Sequence, residues 1–412
     1  MIQWITPKLG TAPRNDVSEN EDVVVVDVRA MVDKAGNTAE VVRGLVDAAV
    51  SGLRRGKRVV VCCDYGMSRS NAIAAGAMAM AEAIPYDNAL QRVLDATGER
   101  SIKLEVVAAI RETIEPPAPT SNSASTAEKR LLVTGGSGFL GRSIVMRLSS
   151  RHQVSAPDRQ SLDLTGGATS LDLFIRRHRA TDIIHLAHPR VFASSEAMGP
   201  SLVMLRNVLD VCRENALRLV FLSGWEVYSG YVSGGLVASE ETPLLPRGAY
   251  GETKYLCECL LRQHQQVYGL RVALLRLGPV YGAEGDKPRF IRTFIRQAMA
   301  DEPIVTHRYR NGDPSLDLLY IDDASEILSA IIRSDFTGVL NIGSGSAVST
   351  PDIARHVVRI LHSRSTIGSS PVSEYVANIT MDASKVRRAF AWSPKTSIEV
   401  GLDNVCRRVA GK

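Results

Sequence analysis

Two stretches hold residues whose types and spacing can do chemistry. In RVVVCCDYGMSRSNAIAAG a valine run ends at Cys62 and Cys63, and five residues separate Cys63 from Arg69, which Ser70 follows. A strand enters this stretch and an alanine-rich helix leaves it. Successive backbone N–H groups of the turn, aided by the helix dipole, can therefore converge on one oxyanion. Arg69 adds a planar fork for two phosphate oxygens. The same positive surroundings lower the pKa of the Cys63 thiol and so produce the thiolate, the nucleophilic form.

The second stretch, LLVTGGSGFLG, spaces Gly135, Gly138 and Gly141 at Gly-x2-Gly-x2-Gly between a strand and a helix, with Phe139 and Leu140 in the same turn. Such glycines permit a tight turn and let a pyrophosphate approach the helix N-terminus. The next strand, QVSAPDR, ends at Asp158, about where a carboxylate meets the adenosine ribose; Arg159 beside it suits a 2′-phosphate instead. NAD is the expected cofactor, with NADP open. Further on, GAYGETKYLCE sets Tyr250 and Lys254 four apart, on one helix face. A nearby ammonium, joined by the positive nicotinamide, stabilises phenolate and can bring a tyrosine towards general-base duty.

The elements that must position these residues are α/β throughout. Before the Pro/Ser/Thr-rich stretch EPPAPTSNSASTAEKR stand strand DVVVVDVRA, helix TAEVVRGLVDAAVSGLRRG, strand RVVVC and further helices. After it, strands at RLLVTG, QVSAPD, DIIHLAH, RLVFLSG and RVALLRLG alternate with helices at FLGRSIVMRLSSR, LVMLRNVLDVCREN and YGETKYLCECLLRQHQQVYG. Continuous apolar strands between amphipathic helices predict a parallel sheet covered on both faces. The expected division is a first domain over 1–116, a flexible linker over 117–128 and a second domain over 129–412.

The first domain resembles the cysteine-dependent tyrosine and dual-specificity phosphatases on its Cys-x5-Arg-Ser signature behind an apolar strand. That resemblance implies a cysteinyl-phosphate on Cys63, phosphate binding by Arg69 and assistance to the leaving thiolate by Ser70. It implies a general acid some 30 residues upstream, which Asp33 in RAMVDKAGN matches better than Asp27 within its strand. Cys62 stands where that family usually has His. From Lys129 to about Val409 the chain resembles an extended short-chain dehydrogenase/reductase, the NAD-dependent epimerase/dehydratase family acting on nucleotide sugars. The matching pieces are TGGSGFLG, DIIHLAH, FLSGWEVYSG, YGETK, LRLGPVYG, LLYIDDASEIL, LNIGSG and DASKVRRAFAWSP.

This second resemblance implies a doubly wound Rossmann sheet with a small C-terminal substrate subdomain. It makes Tyr250 the acid/base and Lys254 the ribose-binding residue that tunes it. Leu186 and Ala187 would line the cofactor, with Asp163 and Leu164 near the adenine. The family's third residue is a Ser or Thr at the position of Gly224; Ser223 substitutes only if the strand bulges. Dehydratases carry Thr-Asp-Glu where this chain has Gly224, Trp225 and Glu226, which argues against dehydration and reads Glu226 as a loop or surface residue. Arg289, Arg292, Arg308 and Arg310 are candidates for clamping a diphosphate. The Tyr250 helix implies a homodimer.

Composition narrows the classes. The 412 residues are 45% apolar and 23% charged with a net charge of +5, ordinary for a globular protein. No basic block interleaved with aromatics tracks a nucleic acid. The opening MIQWITPKLG has no charged leader before an apolar core, and no run is long enough to span a membrane. Six irregularly spaced cysteines suggest a reducing cytoplasm rather than a disulfide framework, and no metal site is expected. The expectation is a cytoplasmic fusion enzyme: a phosphatase-like module with a phosphorylated substrate, joined to a nucleotide-sugar epimerase or oxidoreductase. The alternatives are one module acting as a silent phosphate or NAD(H) sensor, and a phosphatase gated by NAD(H).

Overall fold

The computed structural model describes residues 1–18, 22–100, 102–115, 128–189, 194–284 and 289–411. Apart from residue 128, the expected linker lies outside them. The chain forms two compact units. The first comprises Met1–Ala127, Arg159–Arg179 and Arg206–Leu217; the second comprises Glu128–Asp158, Ala180–Leu205 and Arg218–Lys412. The grouping is thus not a single cut of the chain at the expected linker.

In the first unit a four-stranded sheet has the order β1 (Gln3–Trp4), β2 (Leu9–Pro13), β4 (Arg58–Cys63), β3 (Val23–Asp27). All pairings are parallel except β1 with β2. Central β4 is buried on both faces, which is why its sequence is an unbroken valine run. Pleating sends Val59, Val61 and Cys63 to one cluster and Val60 and Cys62 to another, with Ala12 and Val17. Four helices complete this part: α1 (Ala39–Arg54), α2 (Ser68–Glu82), α3 (Tyr86–Thr97) and α4 (Leu104–Ile114). The first turns of α2 follow directly from the Cys63 loop, and Ala72–Ala79 are buried, so this helix is apolar all round.

The later segments join this unit through specific contacts. In α6 (Ala168–His178), Leu173 enters the apolar cluster and Thr169 Oγ1 donates to the Ile102 carbonyl at 2.9 Å. The Arg111 guanidinium bridges Asp87 at 2.7 Å and the fully buried Asp172 at 3.0 Å.

In the second unit a six-stranded parallel sheet follows the order Gly338–Ile342, β10 (Val272–Leu277), β8 (Arg218–Gly224), β7 (Asp182–His185), β5 (Arg130–Thr134), β6 (Gln153–Ser155). The five expected strands are all present, and GVLNI adds the sixth. Strand order reverses at β5, whose neighbours are β6 and β7, so the crevice at their C-terminal ends is where a doubly wound sheet binds its ligand. Between the strands run α5 (Phe139–Leu148) and α8 (Ala249–Tyr268), while α7 (Met198–Glu214) starts in this unit and from Arg206 on belongs to the first; the short strand β9 (Gly235–Ala238) pairs with Asn378–Met381. Arg218 is 1% exposed and donates to the Ile331, Ile332 and Phe336 carbonyls, satisfying the C-terminal end of helix Ile321–Arg333. Helices Arg289–Met299, Thr350–Ile360 and Ile398–Val409 close a separate apolar cluster in the C-terminal part.

Candidate functional sites

In the first unit the loop from Cys63 to Ser70 closes around the thiol. The Gly66 N–H donates to Cys63 Sγ at 3.2 Å, and Ser70 Oγ lies 3.4 Å from the sulfur in a hydrogen bond. Burial alone would push this thiol's pKa up, but the Ser70 hydroxyl and the N–H groups of Ser70, Tyr65 and Met67 outweigh it and leave it lowered. Gly66 has φ +69°, and a Cβ there would lie 2.4 Å from the Ala12 carbonyl carbon; only glycine fits the turn against β2.

Arg69 is largely buried, donating to the Met31 carbonyl at 2.8 Å and pairing with Asp64. The Met31 loop also brings Asp33 to the cradle, where Asp33 Oδ1 accepts from Ser68 Oγ at 2.6 Å. Asp27 is instead held by Arg29, whose guanidinium keeps its carboxyl below the ordinary range, with Arg14 at 3.4 Å. Such a carboxylate has no proton to give near neutrality. Cys62 faces the opposite side of the sheet; burial, then the Asp27 charge, push its thiol up to about 11. It takes no part in organising the loop.

In the second unit the glycine turn leaves β5 and enters α5. Gly135 has φ +73°, and its Cβ would lie 2.7 Å from the Ala187 nitrogen and 2.8 Å from the Leu186 carbonyl carbon. A Cβ on Gly141 would lie 2.2 Å from the Gly135 carbonyl oxygen. The turn is therefore compressed against Leu186–Ala187 at the mouth of α5, where Gly138 is the N-cap with no side-chain cap, Phe139 and Leu140 form the first turn, and Arg142 donates to the Ser137 carbonyl at 2.7 Å. This suits a dinucleotide pyrophosphate. Thr134 Oγ1 and His185 Nδ1 lie 2.8 Å apart at the ends of β5 and β7; burial, with the Lys254 charge, pushes the imidazole down to about 3 and keeps it neutral.

Lys254 Nζ donates to the Leu222 carbonyl at 2.7 Å, 4.9 Å from the Phe221 ring centre and 5.6 Å from that of Tyr250. Burial lowers the Lys254 pKa. Burial, then the Glu226 charge, raise that of Tyr250. The protein by itself thus holds Tyr250 as a neutral phenol; the expected base counts on the nicotinamide charge as well as on Lys254.

Two further expectations change. The β8–β10 register runs unbroken through Ser223↔Arg276 and Gly224↔Leu277, so there is no bulge, and Ser223 Oγ donates instead to Glu258 Oε1 at 2.6 Å. Glu258 also pairs with buried Arg276 at 2.7 Å, and Arg276 donates to Tyr228 Oη at 2.7 Å. These residues escaped the sequence reading, although an arginine inside RVALLRLG and a glutamate one turn beyond Lys254 were the available signals. Glu226 lies half-buried in the turn Trp225–Tyr228: its charge is felt by Tyr250, and burial, partly offset by its own N–H and by Lys254, pushes its carboxyl up to about 7.

Asp158 is exposed beyond the end of β6 in the second unit. Arg159, Asp163 and Leu164 belong to the first unit. There Arg159 pairs with Asp163 at 3.8 Å, Asp163 Oδ1 accepts from the N–H and hydroxyl of Thr165, and the Leu164 carbonyl accepts from Asn207 at 2.7 Å. Arg292 donates to the Ala283 carbonyl at 2.7 Å, Arg308 pairs with Asp313 at 3.7 Å, and Arg310 stacks on Tyr375. The side chain of Arg289 lies outside the described residues. Among the described residues, no group of three His, Cys, Asp or Glu is arranged to hold a metal, and no helix is long and apolar enough to cross a membrane.

Comparison with known proteins bears on the second unit and on the Arg159–Arg179 and Arg206–Leu217 segments of the first. The family model described as "NAD dependent epimerase/dehydratase family" matches residues 131–343. UDP-glucuronic acid decarboxylase 6 of Arabidopsis thaliana is 24% identical over 315 residues, 69% of this chain and 90% of that one. The dTDP-4-keto-6-deoxy-D-glucose reductase of Streptomyces niveus is 30% identical over 239 residues, 56% of this chain and 78% of that one. Among solved structures, UDP-glucose 4-epimerase of Thermus thermophilus in complex with NAD matches with a TM-score of 0.60 and 24% identity, over 68% of this chain and 99% of that one. The glycine turn at the strand-order reversal, the Tyr250–Lys254 pair and a family match spanning more than half the chain agree: this protein belongs to the NAD-dependent epimerase/dehydratase family.

Proposed function

We propose that the chain is a bifunctional enzyme, an NAD-dependent nucleotide-sugar epimerase or oxidoreductase joined to a cysteine-dependent phosphatase. The observation that carries the first activity is the convergence, at the ends of β5, β7 and β8, of the compressed glycine turn, Leu186–Ala187 and the Tyr250–Lys254 pair. Gly135, Gly138, Phe139, Leu140 and Gly141 would hold the pyrophosphate, with Asp158 on the ribose and NAD favoured over NADP. When bound, the nicotinamide takes up and returns hydride. Tyr250 exchanges a proton with the reacting sugar oxygen: as a phenolate it takes the hydroxyl proton when hydride leaves the sugar, and as the phenol it gives that proton back to the carbonyl oxygen when hydride returns, with Lys254 anchored on the Leu222 carbonyl beside it. The substrate class follows from relatives named for UDP- and dTDP-sugars.

Support for the phosphatase lies in the Cys63 thiol, lowered by converging donors in a loop that also carries Arg69. In this reading Cys63 attacks phosphorus, Arg69 binds the phosphoryl oxygens, Asp33 protonates the leaving oxygen and Ser70 later stabilises the leaving thiolate. A homodimer through α8 is part of the proposal, since Leu256, Val267 and Tyr268 on that helix are exposed; light scattering tests it.

Two assays on full-length protein test the activities. Hydrolysis of p-nitrophenyl phosphate is expected in the wild type and abolished in Cys63→Ser. Turnover on a panel of UDP-, GDP- and dTDP-sugars is expected to vanish in Tyr250→Phe while NADH binding, read by fluorescence, stays near wild type. Retained hydrolysis in the first variant, or lost cofactor binding in the second, contradicts the assigned roles.

A further inference from the structure

Gly224 leaves the Tyr250 site without a hydroxyl at the end of β8, and Ser223 is engaged with Glu258. The space beside Gly224 is nevertheless filled. A Cβ on residue 224 would lie 2.3 Å from Glu226 Oε2 and 3.5 Å from its carboxyl carbon. The carboxyl of Glu226 has folded back into the volume that a serine or threonine side chain at 224 would take.

The backbone that carries this side chain is fixed from two directions. Ser229 Oγ donates to the Glu226 carbonyl at 2.7 Å, fixing the turn Trp225–Tyr228. A Cβ on Gly251 would lie 2.6 Å from that same carbonyl oxygen, so α8 packs directly on the turn, one residue beyond Tyr250. The ionisable groups facing the carboxyl are Tyr250 and Lys254, both on α8. With its pKa raised to about 7, the carboxyl is about half protonated at neutrality and largely so below it, and then has an O–H to donate. Trp225 in place of an Asp gives it no second carboxylate next in sequence.

We propose that Glu226 is a catalytic residue whose carboxyl, seated in the room left by Gly224, hydrogen-bonds the reacting sugar oxygen beside Tyr250, in place of a hydroxyl on residue 224. Gly224 and Glu226 are then one device, and a side chain at 224 expels the carboxyl. The proposal rests on reading Tyr250 and Lys254 as the hydride-transfer pair.

The test uses full-length E226A, G224S and the G224S/E226A double variant. On the sugar that the panel identifies, E226A is expected to lose about 100-fold or more in kcat with little change in KM, and the double variant to regain about tenfold, because a hydroxyl now stands where the carboxyl stood. E226A with wild-type kcat, or a double variant no better than E226A, overturns the proposal. A second measurement needs no substrate. Carbon-13 NMR of side-chain-labelled glutamate, assigned with E226Q, is expected to show Glu226 titrating near neutrality in the wild type and about one unit or more lower in G224S, where the carboxyl is displaced to solvent. If the wild type acts on no sugar of the panel, the reading of Tyr250 fails on its own and the titration decides for Glu226. An ordinary carboxylate range in the wild type, or no change in G224S, overturns the seating.

Discussion

Burial and hydrogen bonding pull in opposite directions at Cys63, and hydrogen bonding wins because several donors share one acceptor. One residue earlier there is no such set of donors, and the Cys62 thiol sits at about 11. The contrast yields a selectivity prediction. Iodoacetamide at pH 7 is expected to alkylate Cys63 well before Cys62, with vanadate protecting it and Ser70→Ala slowing the reaction; peptide mass mapping reads each site. At Glu226 the balance runs the other way and nothing offsets burial fully. An acid whose folded pKa is raised adds stability below its unfolded pKa and loses it as pH rises through the folded one. Glu226→Gln is therefore expected to raise stability relative to wild type at pH 8, by about 2 kcal/mol, and to have little effect at pH 4.5, as measured by denaturant unfolding.

At the scale of the element, two glycine turns do similar work by different contacts. Gly66 is pressed on β2 and Gly141 on Gly135. Gly66→Ala is expected to cost Cys63 its enhanced alkylation, and Gly141→Ala to weaken NADH binding by about tenfold or more, since the blocking atoms are backbone and cannot swing aside. These turns, the five strands of the larger sheet and the Tyr250 helix were legible in the sequence because each follows from local pattern: apolar runs, glycine spacing, a four-residue interval. The fate of Ser223 and Glu226 was not. It depends on the pleat phase of β8 and on which neighbour claims each polar group. That neighbour is Glu258 for Ser223 and the void at Gly224 for Glu226. The burial of Tyr250 and Lys254, which shifts both groups towards their neutral forms, was likewise beyond what spacing shows.

At the scale of the whole molecule, buried carboxylates in both units are held by several donors at once. Asp172 accepts from Arg111, Arg176 and Asn215, and Glu258 from Ser223 and Arg276. Removing one member of such a cluster leaves the rest uncompensated, so Asp172→Ala is expected to cost about 3–5 kcal/mol in chemical denaturation, far more than any exposed ion pair. That aspartate lies in sequence well beyond the Pro/Ser/Thr-rich stretch, yet it belongs to the first unit. Severing the chain at that stretch would strip Arg111 of a counterion and Leu173 from the apolar cluster. The first unit is therefore no portable cassette: it includes two segments encoded downstream, and a recombination event that moved only the opening third of the gene would carry away an incomplete body.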